Sequence, residues 1–133
     1  MNERELNEVR ELQSEINDLE QKIMLVRDAL KNIVPLRNGA PQGRDLNSRI
    51  ENLTVQIGVL EENLLELKKR RAEAAMKISA QICAAGLSHK ETDVVYRRYV
   101  KCMRFRDIGF ELNYSDAHVF RLHSQGLKKL IVE

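Results

Sequence analysis

The stretch from Arg104 to Leu130, RFRDIGFELNYSDAHVFRLHSQGLKKL, decides the fold because it predicts two helices joined by a tight turn. The first helix carries one apolar stripe at helical spacing, formed by Phe105, Ile108 and Leu112. Asn113 tolerates the left-handed backbone that ends a helix, and Ser115 is a good N-cap for the next one. Gly109 is small, so we expect it to let the two helices cross closely.

The second helix of this stretch has two different faces. Its apolar face is formed by Val119, Leu122, Gly126 and Leu130. Its polar face carries Ala117, His118, Arg121, Ser124, Gln125 and Lys128. This pattern predicts a helix-turn-helix whose second helix, over residues 115–131, lies in the major groove of duplex DNA. The alternative is an ordinary solvated polar face.

Side chains on and near this helix are the candidate DNA contacts. Arginine pairs with guanine, glutamine pairs with adenine and lysine pairs with phosphate. We expect three side chains to read bases: His118, Arg121 and Gln125. We expect four to contact phosphates: Arg104, Arg106, Ser115 and Lys128.

A longer stretch, from Val95 to Leu130, carries a family resemblance. Its features are the Tyr99-Val100 pair, a Phe-x-x-Ile-Gly-x-x-Leu helix, a Tyr-Ser turn and a Val-x-x-Leu helix closing with Leu-Lys-Lys-Leu. It resembles region four of bacterial sigma factors, which binds promoter DNA. The whole chain is also similar to small phage and prophage late-gene transcriptional regulators of the RinA and ArpU type. Gly109 and Asn113 depart from the pattern, since such motifs usually have Ala and Gly there.

The resemblance implies a phage or bacterial transcriptional regulator that binds double-stranded DNA. By analogy with sigma factors, it also implies RNA polymerase as a partner. Two alternatives stay open at this point. One is a phage terminase small subunit or packaging adaptor, which would form rings of many subunits. The other is a coiled-coil scaffold that binds no nucleic acid.

Two heptad seams precede this module. The first comprises Val9, Leu12, Ile16, Leu19, Ile23, Val26, Leu30 and Ile33, and the second Leu46, Ile50, Leu53, Ile57, Leu60, Leu64 and Leu67. They predict helices over about 3–34 and 45–85, with Pro35 ending the first, Asp45 capping the second and residues 35–44 forming a loop. We therefore expect the two helices to form an antiparallel coiled-coil hairpin over residues 1–86. The alternative is that each seam pairs with another chain.

Four apolar residues fall outside the seams: Met24, Leu25, Val59 and Leu65. A bare two-helix hairpin would leave them in water, so we expect a homodimer through the N-terminal helices. Scattered apolar residues on a surface are also common without any partner.

The C-terminal part begins after Gly86, a natural helix stop. Ser88-His89-Lys90-Glu91 is a capping box that starts a new helix. The predicted fold is therefore all-α, with a hairpin over 1–86 and a three-helix helix-turn-helix domain over 87–133. The C-terminal domain is small, so we expect it to lean on the preceding long helix.

The 133 residues are 32% charged and only 5% aromatic, which is typical of a helical protein. The net charge is +2; from Leu87 onward nine Lys or Arg face six Asp or Glu, so the positive excess lies in the C-terminal part.

Other classes of protein are disfavoured by the sequence. Cys83, Cys102, His118 and His123 fit no zinc spacing, and no motif for catalysis or phosphate binding is present. We therefore expect no enzyme activity, no metal or other cofactor and no small-molecule substrate. The charged start MNERELNEVR and the lack of long apolar runs predict a cytoplasmic protein with reduced thiols and no membrane contact.

Overall fold

The computed structural model describes residues 1–39 and 44–131, and among these residues there are five helices and no strand. The helices are α1 (Glu3–Gly39), α2 (Arg44–Ala84), α3 (His89–Tyr99), α4 (Phe105–Leu112) and α5 (Asp116–Leu130). The prediction of an all-α fold is confirmed.

The first helix is longer than the sequence suggested. It continues through Pro35 to Gly39, so the predicted end at Val34 is wrong. A proline lacks one amide donor and crowds the preceding turn, but its fixed φ is compatible with a helix. Leu36 and Arg37 favour helix, which supports its continuation. Residues 40–43 of the predicted loop lie outside the described residues.

The start and the end of α2 are close to their predicted positions. The helix begins at Arg44, so Asp45 lies in its first turn instead of capping it. A carboxylate there still interacts favourably with the helix dipole. The helix ends at Ala84, and Gly86 follows with a positive φ of 70°, as expected for a glycine stop.

Contacts divide the chain into two compact units. One comprises Met1–Gln13 together with Arg70–Glu133, and the other comprises Ser14–Lys69. Both long helices therefore contribute their outer ends to the unit that contains α3, α4 and α5. The separation of residues 1–86 from 87–133 stays a prediction.

In the first unit, the three short helices pack around a small apolar core. Its centre is formed by Val94, Ile108, Val119 and Leu122, with Met103, Phe105, Leu112 and Tyr114 packed around it. The start of α1 buries Leu6 and Val9 completely, and the end of α2 buries Ile78 and Ile82. The guanidinium of Arg71 on α2 donates to the carbonyl oxygen of Val100 at 3.4 Å. The expected support from α2 is thus present, and the start of α1 also belongs to this unit, which the sequence did not predict.

In the unit Ser14–Lys69, the seams are only partly covered. Five seam residues are buried: Ile16, Ile23, Ile33, Ile50 and Leu60. Leu19, Val26, Leu30, Leu46, Leu53, Ile57, Leu64 and Leu67 remain half-buried. Arg27 of α1 forms an ion pair with Glu61 of α2. The four apolar residues outside the seams are exposed, and so is Val55.

Candidate nucleic-acid interface

The turn between α4 and α5 is built around Gly109. Asn113 ends α4 in the left-handed conformation, with φ 61° and ψ 44°, as its side-chain type predicted. The amide of Tyr114 then donates to the carbonyl oxygen of Gly109 at 2.8 Å. A Cβ on Gly109 would lie 2.9 Å from the backbone oxygen of Tyr114 and 3.4 Å from Cγ2 of Val119. The close approach expected at Gly109 is confirmed.

Ser115 caps α5 as expected. Its backbone is extended, and its hydroxyl oxygen accepts a hydrogen bond from the amide of His118 at 3.2 Å. Because a serine hydroxyl can accept and donate at the same time, this cap leaves its O–H free to donate to another oxygen. Asp116 lies in the first turn, where a negative charge is favourable.

The inner face of α5 is the one that its periodicity predicted. The residues buried there are Val119, Leu122, Gly126 and Leu130. Gly126 also meets α3 closely, since a Cβ at this position would lie 2.7 Å from Cγ2 of Val95 and 3.4 Å from Cδ2 of Leu87. The backbone of α5 therefore lies against α3 at this point.

The outer face of α5 holds most of the predicted base contacts. Arg121, Gln125 and Lys128 are exposed, whereas His118 is half-buried. The guanidinium of Arg121 lies 2.5 Å from Nδ1 of His118, and the His118 ring contacts the Tyr114 ring edge-on, with centroids 4.7 Å apart. Among the described residues, no carboxylate forms an ion pair with Arg121 or Lys128. These cations are accordingly available to an external anion.

The predicted phosphate contacts on α4 are also exposed. Arg104 stands at the N-cap position of α4, and its Nε forms an ion pair with Oδ2 of Asp107 at 2.9 Å. Arg106 lines a shallow surface depression beside Asn113 and Tyr114. Arg106 thus lies near the turn that leads into α5, while Arg104 is held by its own helix.

An aromatic cluster connects α3, the start of α4 and the middle of α5. Phe105 contacts the rings of Phe120 and His123, with centroids 5.0 Å and 4.8 Å away. The guanidinium carbon of Arg98 lies 4.1 Å from the Phe105 centroid, which is within range for a cation–π interaction. Phe120 nevertheless remains 50% exposed. These contacts orient α5 by way of Phe105.

A buried tyrosine and a half-buried histidine meet inside this cluster. The hydroxyl of Tyr99 and Nε2 of His123 are joined by a hydrogen bond of 2.7 Å. Burial lowers the pKa of His123, and the positive charge of Arg98 lowers it further. Burial raises the pKa of Tyr99, although the charges of Arg98 and Arg10 oppose this effect. Both groups are therefore neutral near pH 7, consistent with a structural role.

Glu91 connects the start of α3 to the end of α5. The predicted capping box is present: Glu91 accepts from the Ser88 amide at 2.9 Å, and Ser88 accepts from the Glu91 amide at 3.2 Å. Nζ of Lys129 lies 2.7 Å from the same carboxylate. The hydrogen bond from Lys129 lowers the pKa of Glu91 most, followed by that from Ser88. The Glu91 carboxylate that caps α3 therefore also holds the last turn of α5.

Several residues of this surface escaped sequence reasoning. Phe120 was visible as an aromatic residue beside the polar face of α5, but its position next to Phe105 was not. The Tyr99–His123 and Glu91–Lys129 pairs join residues 24 and 38 positions apart. Neither helical periodicity nor a capping pattern indicates contacts between residues so far apart in the sequence.

The described residues contain no group of three His, Cys, Asp or Glu side chains arranged to hold a metal ion. None of their helices is long and apolar enough to cross a membrane. Comparisons with models of protein families, with curated proteins and with solved structures find no match to this chain.

Proposed function

We propose that this chain is a phage or bacterial transcriptional regulator that binds duplex DNA by placing α5 in the major groove. The observation that carries the proposal is the division of α5 into two faces. Val119 and Leu122 are buried on one side, while Arg121, Gln125 and Lys128 are exposed on the other. A helix of this kind is held rigidly from behind and offers base-pairing and phosphate-binding groups in front.

The proposed base contacts follow from the chemistry of the exposed groups. Arg121 donates two hydrogen bonds to guanine, and Gln125 pairs with the edge of adenine. His118 lies beside Arg121 and reaches a neighbouring base or orients the guanidinium. The base-reading residues are thus spread over two turns of α5.

The proposed phosphate contacts flank this reading surface. Ser115 donates its free O–H at the N-terminus of α5, where the helix dipole also attracts an anion. Lys128 binds phosphate near the other end of the helix. Arg104 and Arg106 bind the backbone beside α4, and Arg104 exchanges Asp107 for a phosphate when it does so.

We also propose the finer architecture. Helices α3, α4 and α5 form a helix-turn-helix domain, and the central parts of α1 and α2 form an antiparallel coiled-coil hairpin. The ion pair between Arg27 and Glu61 supports the hairpin, because each residue directly follows a seam position, Val26 and Leu60. In this proposal the protein acts in the cytoplasm, and RNA polymerase is a partner by analogy with sigma factors alone.

The first experiment selects binding sites from a random duplex pool and measures affinity as a function of salt. We expect the selected site to bind about 10³-fold or more tightly than random duplex, with affinity falling steeply as salt rises. Arg121→Ala should reduce that preference by about 1–3 kcal/mol while random-duplex binding persists. Arg49→Ala, an exposed arginine on α2, is the matched control and should bind as the wild type does.

The other outcomes have definite meanings. Absence of binding to any duplex at low salt refutes the proposal and favours the coiled-coil scaffold. Equal losses in Arg121→Ala and Arg49→Ala would remove α5 as the reading element. A complex containing a ring of many subunits favours the terminase small subunit or packaging adaptor.

A further inference from the structure

His118 and Arg121 are neighbours on the outer surface of α5, because residues three positions apart lie side by side on a helix. Nη2 of Arg121 lies 2.5 Å from Nδ1 of His118. A guanidinium can only donate hydrogen bonds, so Nδ1 must be the acceptor in this pair. An accepting Nδ1 carries a lone pair, and the proton of the imidazole therefore lies on Nε2. The contact with Arg121 thus defines the tautomer of His118.

The imidazole of His118 is held in place by residues other than Arg121. The ring of Tyr114 contacts it edge-on, with centroids 4.7 Å apart and an angle of 77° between the planes. The amide of His118 donates to the hydroxyl oxygen of Ser115 at 3.2 Å, which fixes the backbone in the first turn of α5. His118 is half-buried, whereas Arg121 is exposed. His118 is accordingly a fixed support for a long side chain that otherwise stands in solvent.

The atoms that remain on His118 are poorly suited to reading a base. With Nδ1 occupied, its polar contact to another molecule is the single N–H at Nε2. In the major groove N7 of guanine, N7 of adenine and O4 of thymine each accept one hydrogen bond, so a lone donor distinguishes these bases weakly. Arg121 keeps its other N–H donors, and two of them suffice for paired hydrogen bonds to guanine. Discrimination between bases therefore falls to Arg121.

We propose that His118 is a positioning residue, which favours guanine by orienting Arg121 and reads no base of its own. This inference rests on the proposed function, because it concerns the base that Arg121 contacts. A guanidinium already held by Nδ1 loses less conformational freedom when DNA binds. The benefit falls on sequence preference, since paired hydrogen bonds need a fixed guanidinium plane and phosphate contacts carry no sequence information directly.

The test is a double-mutant cycle on the preference for one base pair, measured with the full-length protein. The pair is the one at which Arg121→Ala loses its preference for guanine, when duplexes that differ only there are compared. His118→Leu removes the acceptor and keeps a side chain of similar size. It should reduce the guanine preference by about threefold to tenfold, the cost of ordering one long side chain. In the Arg121→Ala background the same substitution should change the preference no further.

His118→Asn is the matched conservative variant. Its Oδ1 stands at about the position of Nδ1 and also accepts a hydrogen bond, so the guanine preference should be retained. Affinity for random duplex should differ from that of wild type by less than about twofold in both His118 variants, because phosphate contacts supply nonspecific binding. Circular dichroism confirms that the helices are intact in each variant.

The outcomes separate this inference from the function on which it rests. A wild type without any preferred duplex, or an Arg121→Ala variant with the full preference, refutes the proposed function, and the inference fails with it. If His118→Leu loses its preference at a different base pair from Arg121→Ala, His118 reads a base and only the inference is overturned. The same holds for a loss that persists in the Arg121→Ala background, for an unchanged preference in His118→Leu, and for an equal loss in His118→Asn.

Discussion

The backbone oxygen of Tyr114 lies 2.9 Å from the position that a Cβ on Gly109 would occupy. The turn between α4 and α5 thus closes directly over a residue that has no side chain. The orientation of α5 depends on this closure, because the amide of Tyr114 is hydrogen-bonded to the carbonyl of the same glycine. A backbone atom cannot swing away as a flexible side chain can.

Gly109→Ala should therefore destabilise the protein, although alanine is the better helix former. We expect a loss of about 1–3 kcal/mol in the free energy of unfolding, as is usual for overpacking of a rigid site. Urea unfolding followed by circular dichroism measures it. Ser124→Ala, on the exposed face of α5, is the control and should change stability by only a few tenths of a kcal/mol. A more stable Gly109→Ala variant would contradict the close approach.

Gly126→Ala should be destabilising for a different reason. The added methyl would meet Cγ2 of Val95, which belongs to a side chain that can be shortened. We expect Gly126→Ala and Val95→Ala each to lower stability by about 1–3 kcal/mol. The double variant should lose less than the sum, with a favourable coupling of roughly 0.5–3 kcal/mol in a double-mutant cycle. Strict additivity would show that the two positions do not touch.

Cys102 has a positive φ of 58°, which is unfavourable for a side chain other than glycine or asparagine. Cys102→Gly should raise the unfolding free energy by about 0.5–1 kcal/mol, because relief of this strain exceeds the added chain entropy. Cys83→Gly should lower it by up to about 1 kcal/mol, since Cys83 lies in the last turn of α2 and glycine weakens a helix. Thermal unfolding under reducing conditions compares the two. If both substitutions changed the unfolding free energy in the same direction, the left-handed backbone at Cys102 would be contradicted.

The lowered pKa of His123 makes a prediction about acid stability. His123 binds fewer protons in the folded protein than in the unfolded chain. The stability that depends on neutral His123 is therefore complete above the unfolded pKa of about 6.5 and decreases as the pH falls below it. His123→Gln removes the titration and keeps a polar partner for the Tyr99 hydroxyl. Its unfolding free energy should depend less on pH between about 7 and 5 than that of wild type. The exposed His89→Gln is the control, and an identical pH profile for all three proteins would remove the effect.

Lys128→Ala should separate phosphate binding from base reading. If Lys128 binds one phosphate, its loss weakens selected and random duplexes by a similar factor. The plot of log affinity against log salt concentration should become less steep, its slope decreasing in magnitude by about 1. Titrations at several salt concentrations measure this slope. A changed sequence preference with an unchanged slope would instead place Lys128 at a base edge.

The local elements of the fold were predictable because each depends on a few neighbouring residues. The capping box of Ser88 and Glu91, the left-handed end at Asn113 and the N-cap at Ser115 all have the predicted conformations. The predicted end of α1 at Pro35 was wrong. The helix continues on both sides of this proline, so the unfavourable effect of a single residue was not enough to end it. The DNA contacts themselves stay predictions, since they concern a second molecule.

The sequence by itself determined the capping box that starts α3, the turn that ends α4 and starts α5, and the face of α5 that is buried, since caps and helical periodicity are local properties. Only the tertiary structure placed Leu6 and Val9 with the C-terminal helices, paired Tyr99 with His123 and joined Glu91 to Lys129. Apolar burial has no direction, so a seam of similar side chains does not specify which distant surface will cover it. That choice depends on how all the faces fit together in three dimensions.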